Sequence, residues 1–95
     1  MTADRIKCVV PFCRRTRKPD CTEMICGKHW RMVSRTLRDR KIRMNRRYRR
    51  RFGDNAPWDY PAGSAMRLES VKLARICGKA WEACKRSAIE AAAGI

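Results

Sequence analysis

Two pairs of candidate metal ligands constrain the fold of this chain more than any other feature of its sequence. The pairs are Cys8-x4-Cys13 and Cys26-x2-His29, and twelve residues separate them. Structural zinc takes four sulfur or nitrogen ligands in a tetrahedron, usually from two close pairs that each need one tight turn. Reduced structural thiols or a disulfide framework are the alternatives. Because the first thirty residues are too polar to fold without a metal, we predict that these four residues bind one structural zinc.

The other cysteines are expected to bind no metal. Cys21 could replace Cys8 or Cys13 as a ligand, but the Cys13-x7-Cys21 spacing forms no tight turn, so we expect a thiol in the connecting loop. Cys77 and Cys84 lie seven residues apart in a predicted helix, about 10 Å, which is beyond the reach of a disulfide or a shared metal. We expect both thiols in the core. The first residues show no apolar secretory region, which favours metal binding and buried thiols over disulfides.

Hydrophobic periodicity predicts a first long helix over residues 30–52. Its apolar side chains recur at helical spacing and form one stripe, and Gly53 follows in the position of a helix C-cap. The stripe consists of Trp30, Val33, Leu37, Met44, Tyr48 and Phe52. Residues 53–63 are rich in glycine and proline and are predicted to connect this helix to the next.

A second helix is predicted over residues 64–93, with Ser64 as N-cap and Gly94 just past the end. Small and apolar residues share one face of it, and charged residues lie mainly off that face. The shared face consists of Met66, Ser70, Leu73, Ala74, Cys77, Ala80, Trp81, Cys84, Ala88 and Ala91. Two long amphipathic helices with a short connection most simply pack as an antiparallel hairpin.

The run KCVVPFC…MICGKHWR, residues 7–31, resembles the small treble-clef zinc fingers of phage and prophage proteins. These fingers, which also accompany HNH-type endonucleases, pair a Cys-x4-Cys knuckle with Cys-x2-His at a helix start. The resemblance implies that Cys8, Cys13, Cys26 and His29 are the zinc ligands, and it favours contact with nucleic acid. It also implies a phage or prophage origin and hence the cytoplasm of a bacterial host. The chain has no second histidine, so it lacks the HNH catalytic core.

We therefore expect a mainly α fold, in which a small treble-clef-like zinc knuckle is followed by an antiparallel two-helix hairpin. The expected organisation is a single domain over residues 1–95, made of four segments. They are a zinc-binding head (1–29), a basic helix (30–52), a connection (53–63) and a second helix (64–93).

The charge of the chain predicts an anionic partner. Lysine and arginine number 24 against 9 aspartate and glutamate, a net charge of +15, and residues 30–52 alone hold eleven basic residues and one acidic residue. Ten of the eleven are arginines, which contact phosphate with two parallel hydrogen bonds. We predict binding to DNA or RNA. The candidate contact residues are Arg31, Arg35, Arg38, Arg46 and Arg49 on the outer face, and Arg43, Arg47 and Arg50 beside the apolar stripe.

Membrane binding, catalysis and protein interaction are the alternatives to nucleic-acid binding. Membrane binding is not expected, because the second helix occupies the apolar stripe that a lipid surface would need. Catalysis is not expected either, because the single histidine is a predicted zinc ligand and four ligands close the metal. The rival is a protein-interaction module with a purely structural zinc, which docks on or inhibits a host or phage enzyme. Apolar residues of the second helix could also allow self-association. Trp58 and Tyr60 in the connection are candidates for base stacking.

Overall fold

A computed structural model describes residues 5–19 and 21–94 of the protein. In chain order its elements are β1 (Ile6–Lys7), β2 (Thr16–Arg17), α1 (Gly27–Trp30), α2 (Arg35–Phe52), one turn of 3-10 helix (Pro57–Asp59) and α3 (Ala65–Ala92). The mainly α fold is therefore confirmed. The predicted limits of the domain, residues 1 and 95, lie outside the described residues.

The described residues form two compact units. We call residues 5–19 and 21–34 together with 84–94 the head unit, and residues 35–83 the hairpin unit. Helix α3 contributes to both, with residues 65–83 in the hairpin unit and residues 84–92 in the head unit. Within the described ranges, no helix combines the length and the apolarity that a bilayer span requires.

The head unit begins with a two-stranded antiparallel sheet in which Ile6 lies opposite Arg17 and Lys7 opposite Thr16. The N–H of Val9 donates to the carbonyl of Met24 over 2.9 Å, which ties the later part of the head to this hairpin. The buried apolar side chains among the described residues of the unit are few, and they include Val10, Met24, Val33 and Ala88. A core of this size cannot keep the head unit folded alone. The predicted metal ligands Cys8, Cys13, Cys26 and His29, which lie in the same unit, must therefore contribute.

The first long helix starts later than predicted. The sequence favours one helix from residue 30, but α1 ends at Trp30 and α2 begins at Arg35. Between them, the N–H of Met32 and that of Val33 each donate to a carbonyl three residues earlier, a tight turn instead of an α-helix. Val33 is only 2 % exposed and belongs to the head unit. Burial of Val33 in the head therefore overrides the helical period, and Trp30 and Val33 are not part of the apolar stripe of α2.

The hairpin unit pairs α2 with the first part of α3 in antiparallel fashion, as predicted. Three contacts set the direction: Arg51 with Glu69 at 2.9 Å, the thiol of Cys77 with the carbonyl of Met44 at 3.4 Å, and the Lys41 ammonium over the Trp81 ring at 5.7 Å. Residues later in α3 contact residues earlier in α2, so the two helices run antiparallel. The exposed pair between Arg51 and Glu69 adds little stability, so the packed stripe holds the hairpin together.

An aromatic cluster fixes the connection between the two helices. Phe52 is 3 % exposed, and its ring lies 5.0 Å from that of Tyr48 and 6.0 Å from that of Tyr60. The Tyr48 hydroxyl donates to the carbonyl of Asn55 over 2.7 Å. Gly53 has a φ of 63°, the left-handed conformation that ends a helix and that glycine adopts without strain. Both the end of the helix and the reversal of the chain follow from these residues.

Helix α3 has the caps that the sequence predicts. The Ser64 hydroxyl accepts the N–H of Arg67 over 3.2 Å, and Gly94 beyond the last turn has a φ of 77°. The predicted inner face is confirmed by burial. Ser70, Ala80, Cys84 and Ala88 are between 0 and 1 % exposed.

Thiol reactivity tests this packing. We expect native alkylation to modify the exposed Cys21 quickly, whereas Cys77 and Cys84 react only after denaturation. Cys84 is fully buried, and burial raises the pKa of the Cys77 thiol, which lowers its thiolate fraction. Mass spectrometry of the modified peptides measures each site separately. Fast labelling of Cys84 in native protein would show that α3 does not pack as described.

Candidate metal centre and arginine surface

Cys8, Cys13, Cys26 and His29 converge in the head unit, as the sequence predicts. Their ligand atoms all lie within 4.8 Å of one another. The Sγ atoms of Cys13 and Cys26 are 3.9 Å apart, and the Nδ1 atom of His29 lies 3.6 Å from Cys8 Sγ and 3.1 Å from Cys26 Sγ. Zinc–sulfur bonds of about 2.3 Å place the corners of a tetrahedron about 3.7 Å apart. The four atoms therefore suit one zinc ion bound through three sulfurs and His29 Nδ1.

Local structure explains why these four residues meet. Cys8 directly follows β1, and Cys13 ends the turn in which its own N–H donates to the carbonyl of Val10 over 3.2 Å. Cys26 is the N-cap of α1, and His29 lies one turn into that helix. A strand end, a tight turn and a helix start thus each bring ligands to the same point. No pair needs a long excursion of the chain.

Burial and backbone hydrogen bonds act in opposite directions on the pKa values of the Cys8 and Cys26 thiols. The Cys26 N–H donates to Cys8 Sγ over 3.3 Å. Burial opposes ionisation of Cys26, but the backbone N–H of His29 outweighs it together with the other hydrogen bonds to the sulfur, so the pKa of the Cys26 thiol is lowered. Burial raises the pKa of the Cys8 thiol. Zinc binds cysteine as the thiolate, so the positive charge of a bound zinc ion would stabilise the ionised form of both thiols.

Four protein ligands leave zinc no open position. A catalytic zinc keeps a site for water or substrate, whereas a closed set of sulfur and nitrogen ligands is typical of a structural ion. The burial of the cluster agrees: Cys8 and Cys26 are each 6 % exposed, and His29 is 9 % exposed. The donor set therefore fits a single structural zinc whose role is to fold the head.

Cys21 lies outside this cluster. Its side chain is exposed, and its Sγ donates to the carbonyl of Glu23 over 3.1 Å. The structure places it in the loop between the ligand pairs, where the sequence predicts a thiol without a metal.

The arginine surface differs in part from the prediction. Arg38, expected on the outer face, is half-buried, and its buried Nε has no acceptor among the described residues. Arg31 is exposed but lies in the turn before α2, in the head unit. Arg35 is exposed and lies 3.7 Å from Asp39. Both Arg46 and Arg49 are exposed, as predicted.

The most continuous basic surface follows one side of α2. We call it the arginine strip, and it consists of Arg43, Arg46, Arg47 and Arg50, all exposed. The spacing i, i+3, i+4, i+7 places the four on one face over about 10 Å of helix. They line a shallow groove of about 530 Å³ that also contains Asp39 and Ile42. None of the four forms an ion pair within the described part of the chain.

A second groove in the hairpin unit has an apolar floor and a basic rim. It measures about 580 Å³ and is formed by Phe52, Leu73 and Ile76 with Arg47, Arg50, Arg51, Glu69 and Lys72. Arg47 and Arg50 of the arginine strip border both grooves.

The two candidate stacking residues of the connection differ in exposure: Trp58 is 75 % exposed, whereas Tyr60 packs against Phe52.

No protein-family model, curated protein or solved structure matches this chain.

Proposed function

We propose that this chain is a zinc-containing accessory protein that binds nucleic acid, with phosphates contacted by the arginine strip of α2. The observation that carries the proposal is the strip itself. Four exposed guanidinium groups repeat on one helical face without carboxylate partners among the described residues. Like charges at this spacing destabilise an isolated helix, so a surface of this kind is best explained by an external anion.

The geometry of the strip fits a phosphate backbone. About 10 Å of helix corresponds to about three steps along one strand of duplex DNA at 3.4 Å per step. Each guanidinium can donate two parallel hydrogen bonds to one phosphate. DNA and RNA share the phosphate backbone, and contacts to it carry no sequence information. Both are therefore candidate ligands.

In this proposed function zinc stabilises the fold and does not contact the nucleic acid. The ion closes the head around Cys8, Cys13, Cys26 and His29 and takes no part in chemistry. The resemblance of residues 7–31 to phage and prophage zinc fingers extends the proposal to a phage or prophage origin and the bacterial cytoplasm.

A protein-interaction module is the second candidate, with zinc purely structural. It is favoured by exposed apolar side chains of α3, since Leu68 is 57 % exposed and Ile76 is 40 % exposed. These side chains are available for docking of a host or phage enzyme, or of a second copy of the chain.

Recovery of bound partners from a cell lysate distinguishes the two. We expect nucleic acid to copurify with the protein and to disappear after nuclease treatment during the wash. A protein partner that stays bound after complete nuclease digestion, with no nucleic acid in the untreated sample, would favour the interaction module instead.

A further inference from the structure

The turn between the first two zinc ligands presents an aromatic side chain in an unusual conformation. In the segment Val10-Pro11-Phe12-Cys13 the N–H of Cys13 donates to the carbonyl of Val10 over 3.2 Å. Phe12 has a φ of 69°, the only positive φ among the described residues other than glycine. Proline at the second position and positive φ at the third are the features of a type II turn, in which the third position normally holds glycine or asparagine.

The conformation of Phe12 gains nothing from packing within the described residues. The left-handed region is unfavourable for a bulky side chain, because its Cβ crowds the backbone. Such a residue is usually retained because it fills a core, but the Phe12 side chain is fully exposed, at 102 %. A strained backbone and an exposed aromatic ring together indicate that the ring contacts a partner.

Zinc would hold the backbone that carries this ring. Cys13 follows Phe12 directly, Cys8 begins the same loop, and Pro11 restricts the backbone in between. The hydrogen bond from Cys8 N–H to the carbonyl of Arg15, at 3.0 Å, closes the base of the loop beside the β1–β2 sheet. The ring therefore stands at the tip of a clamped loop, so binding costs the backbone of that loop little conformational entropy.

The surroundings of the loop determine what that partner is. Residues 5–19 contain six basic side chains and no acidic one, and all six are exposed: Arg5, Lys7, Arg14, Arg15, Arg17 and Lys18. An apolar pocket on another protein would have to be ringed by acids to approach this loop. A nucleobase offers a flat face for the ring and carries its own phosphates for the flanking cations.

We infer that Phe12 is a stacking platform for an unpaired nucleobase, with the basic residues of the same loop region contacting the adjoining phosphates. This inference rests on the nucleic-acid binding proposed above and deepens it, because it names single-stranded or looped nucleic acid as the preferred ligand. Bases inside a duplex are already stacked on their neighbours, whereas unpaired bases are available to an aromatic side chain.

Substitutions at Phe12 test the inference in the full-length zinc-loaded protein. Phe12→Gly suits the backbone conformation, Phe12→Leu keeps an apolar side chain without a ring, and Phe12→Trp keeps an aromatic ring. We expect the Gly and Leu variants to bind a single-stranded oligonucleotide about 5- to 160-fold more weakly, the range for loss of one base–aromatic stack. Binding to a duplex and the salt dependence should not change, and the Trp variant should bind like the parent.

A fluorescent base provides a direct readout. Stacking quenches 2-aminopurine, so the parent and the Trp variant should quench it in a single strand and the Gly and Leu variants should not. Zinc content and circular dichroism control for folding. Equal single-strand affinity in all four proteins would overturn the inference and leave the proposed function standing. Absence of binding to any oligonucleotide by the parent at low salt would instead reject the proposed function. Loss of a nuclease-resistant protein partner in the Gly variant would overturn the inference by assigning the ring to a protein pocket.

Discussion

Replacing Cys26 or His29 with alanine is expected to release the zinc and unfold the part of the head unit formed by residues 5–34, while the hairpin unit keeps its helices. The reason is the scale of the metal contribution. Apparent free energies of structural zinc binding are on the order of 10 kcal/mol, and the few buried apolar side chains of the head cannot replace that. In the hairpin unit, by contrast, α2 and α3 share an apolar stripe that contains no metal ligand.

Elemental analysis and site-specific alkylation measure both halves of this prediction. Cys84 lies in the head unit and should become reactive when the zinc is released, whereas Cys77 in the hairpin unit should stay protected. Cys21→Ala is the matched control, because this exposed cysteine lies outside the ligand cluster and its replacement should leave zinc content unchanged. Protein kept reduced from lysis onward that contains no metal would refute the zinc assignment.

Neutralising three of the four residues of the arginine strip is expected to abolish most nucleic-acid binding without affecting the fold. An Arg43→Gln, Arg47→Gln, Arg50→Gln variant lacks three of the proposed phosphate-binding groups, so its slope of log affinity against log salt should be shallower by about 2 to 3. If the two proteins bind equally at 1 M salt, the affinity of the variant at 0.1 M salt should be about 100- to 1,000-fold weaker. Glutamine keeps the helix propensity of arginine, and fewer like-charge pairs should raise the melting temperature slightly.

A variant with the same change in net charge separates the strip from charge in general. Arg75, Lys79 and Arg86 are exposed on α3, and their replacement by glutamine also removes three positive charges. We expect the affinity of this control to fall far less than that of the α2 variant. Equal reductions in the two proteins would mean that binding follows net charge and not the strip.

The sequence predicts those features of the fold that depend on local chemistry. Gly53, Ser64 and Gly94 mark helix ends because each meets a backbone requirement that few residue types satisfy. The zinc ligands are recognisable because tetrahedral coordination limits their spacing. The inner face of α3 follows from its period, since a helix in a small protein must bury one side.

Other features depend on tertiary packing and do not follow from the period. Trp30 and Val33 fit the helical spacing of the stripe, and no glycine or proline marks the turn at 31–34. Their placement in the head, not their local preference, ends α1 there. Likewise, a helical wheel places Arg38 away from the stripe but does not specify how much of that face the fold covers.

The conformation of Phe12 has a signal in the sequence, although a weak one. Proline at position 11 suits the second position of a type I or a type II turn, and only the type II turn places the following residue at positive φ. Phenylalanine stands there, where glycine is the usual residue, and it marks a site at which the chain accepts strain.

The salt dependence of nucleic-acid binding by the parent protein tests the central claim most directly. Affinity for labelled single-stranded and duplex oligonucleotides would be measured from about 0.05 to 0.5 M salt. If the four residues of the arginine strip all contact phosphate, log affinity should fall with log salt at a slope of about −3 or steeper. Affinity that stays constant across this range, or no binding even at the lowest salt, would contradict the account.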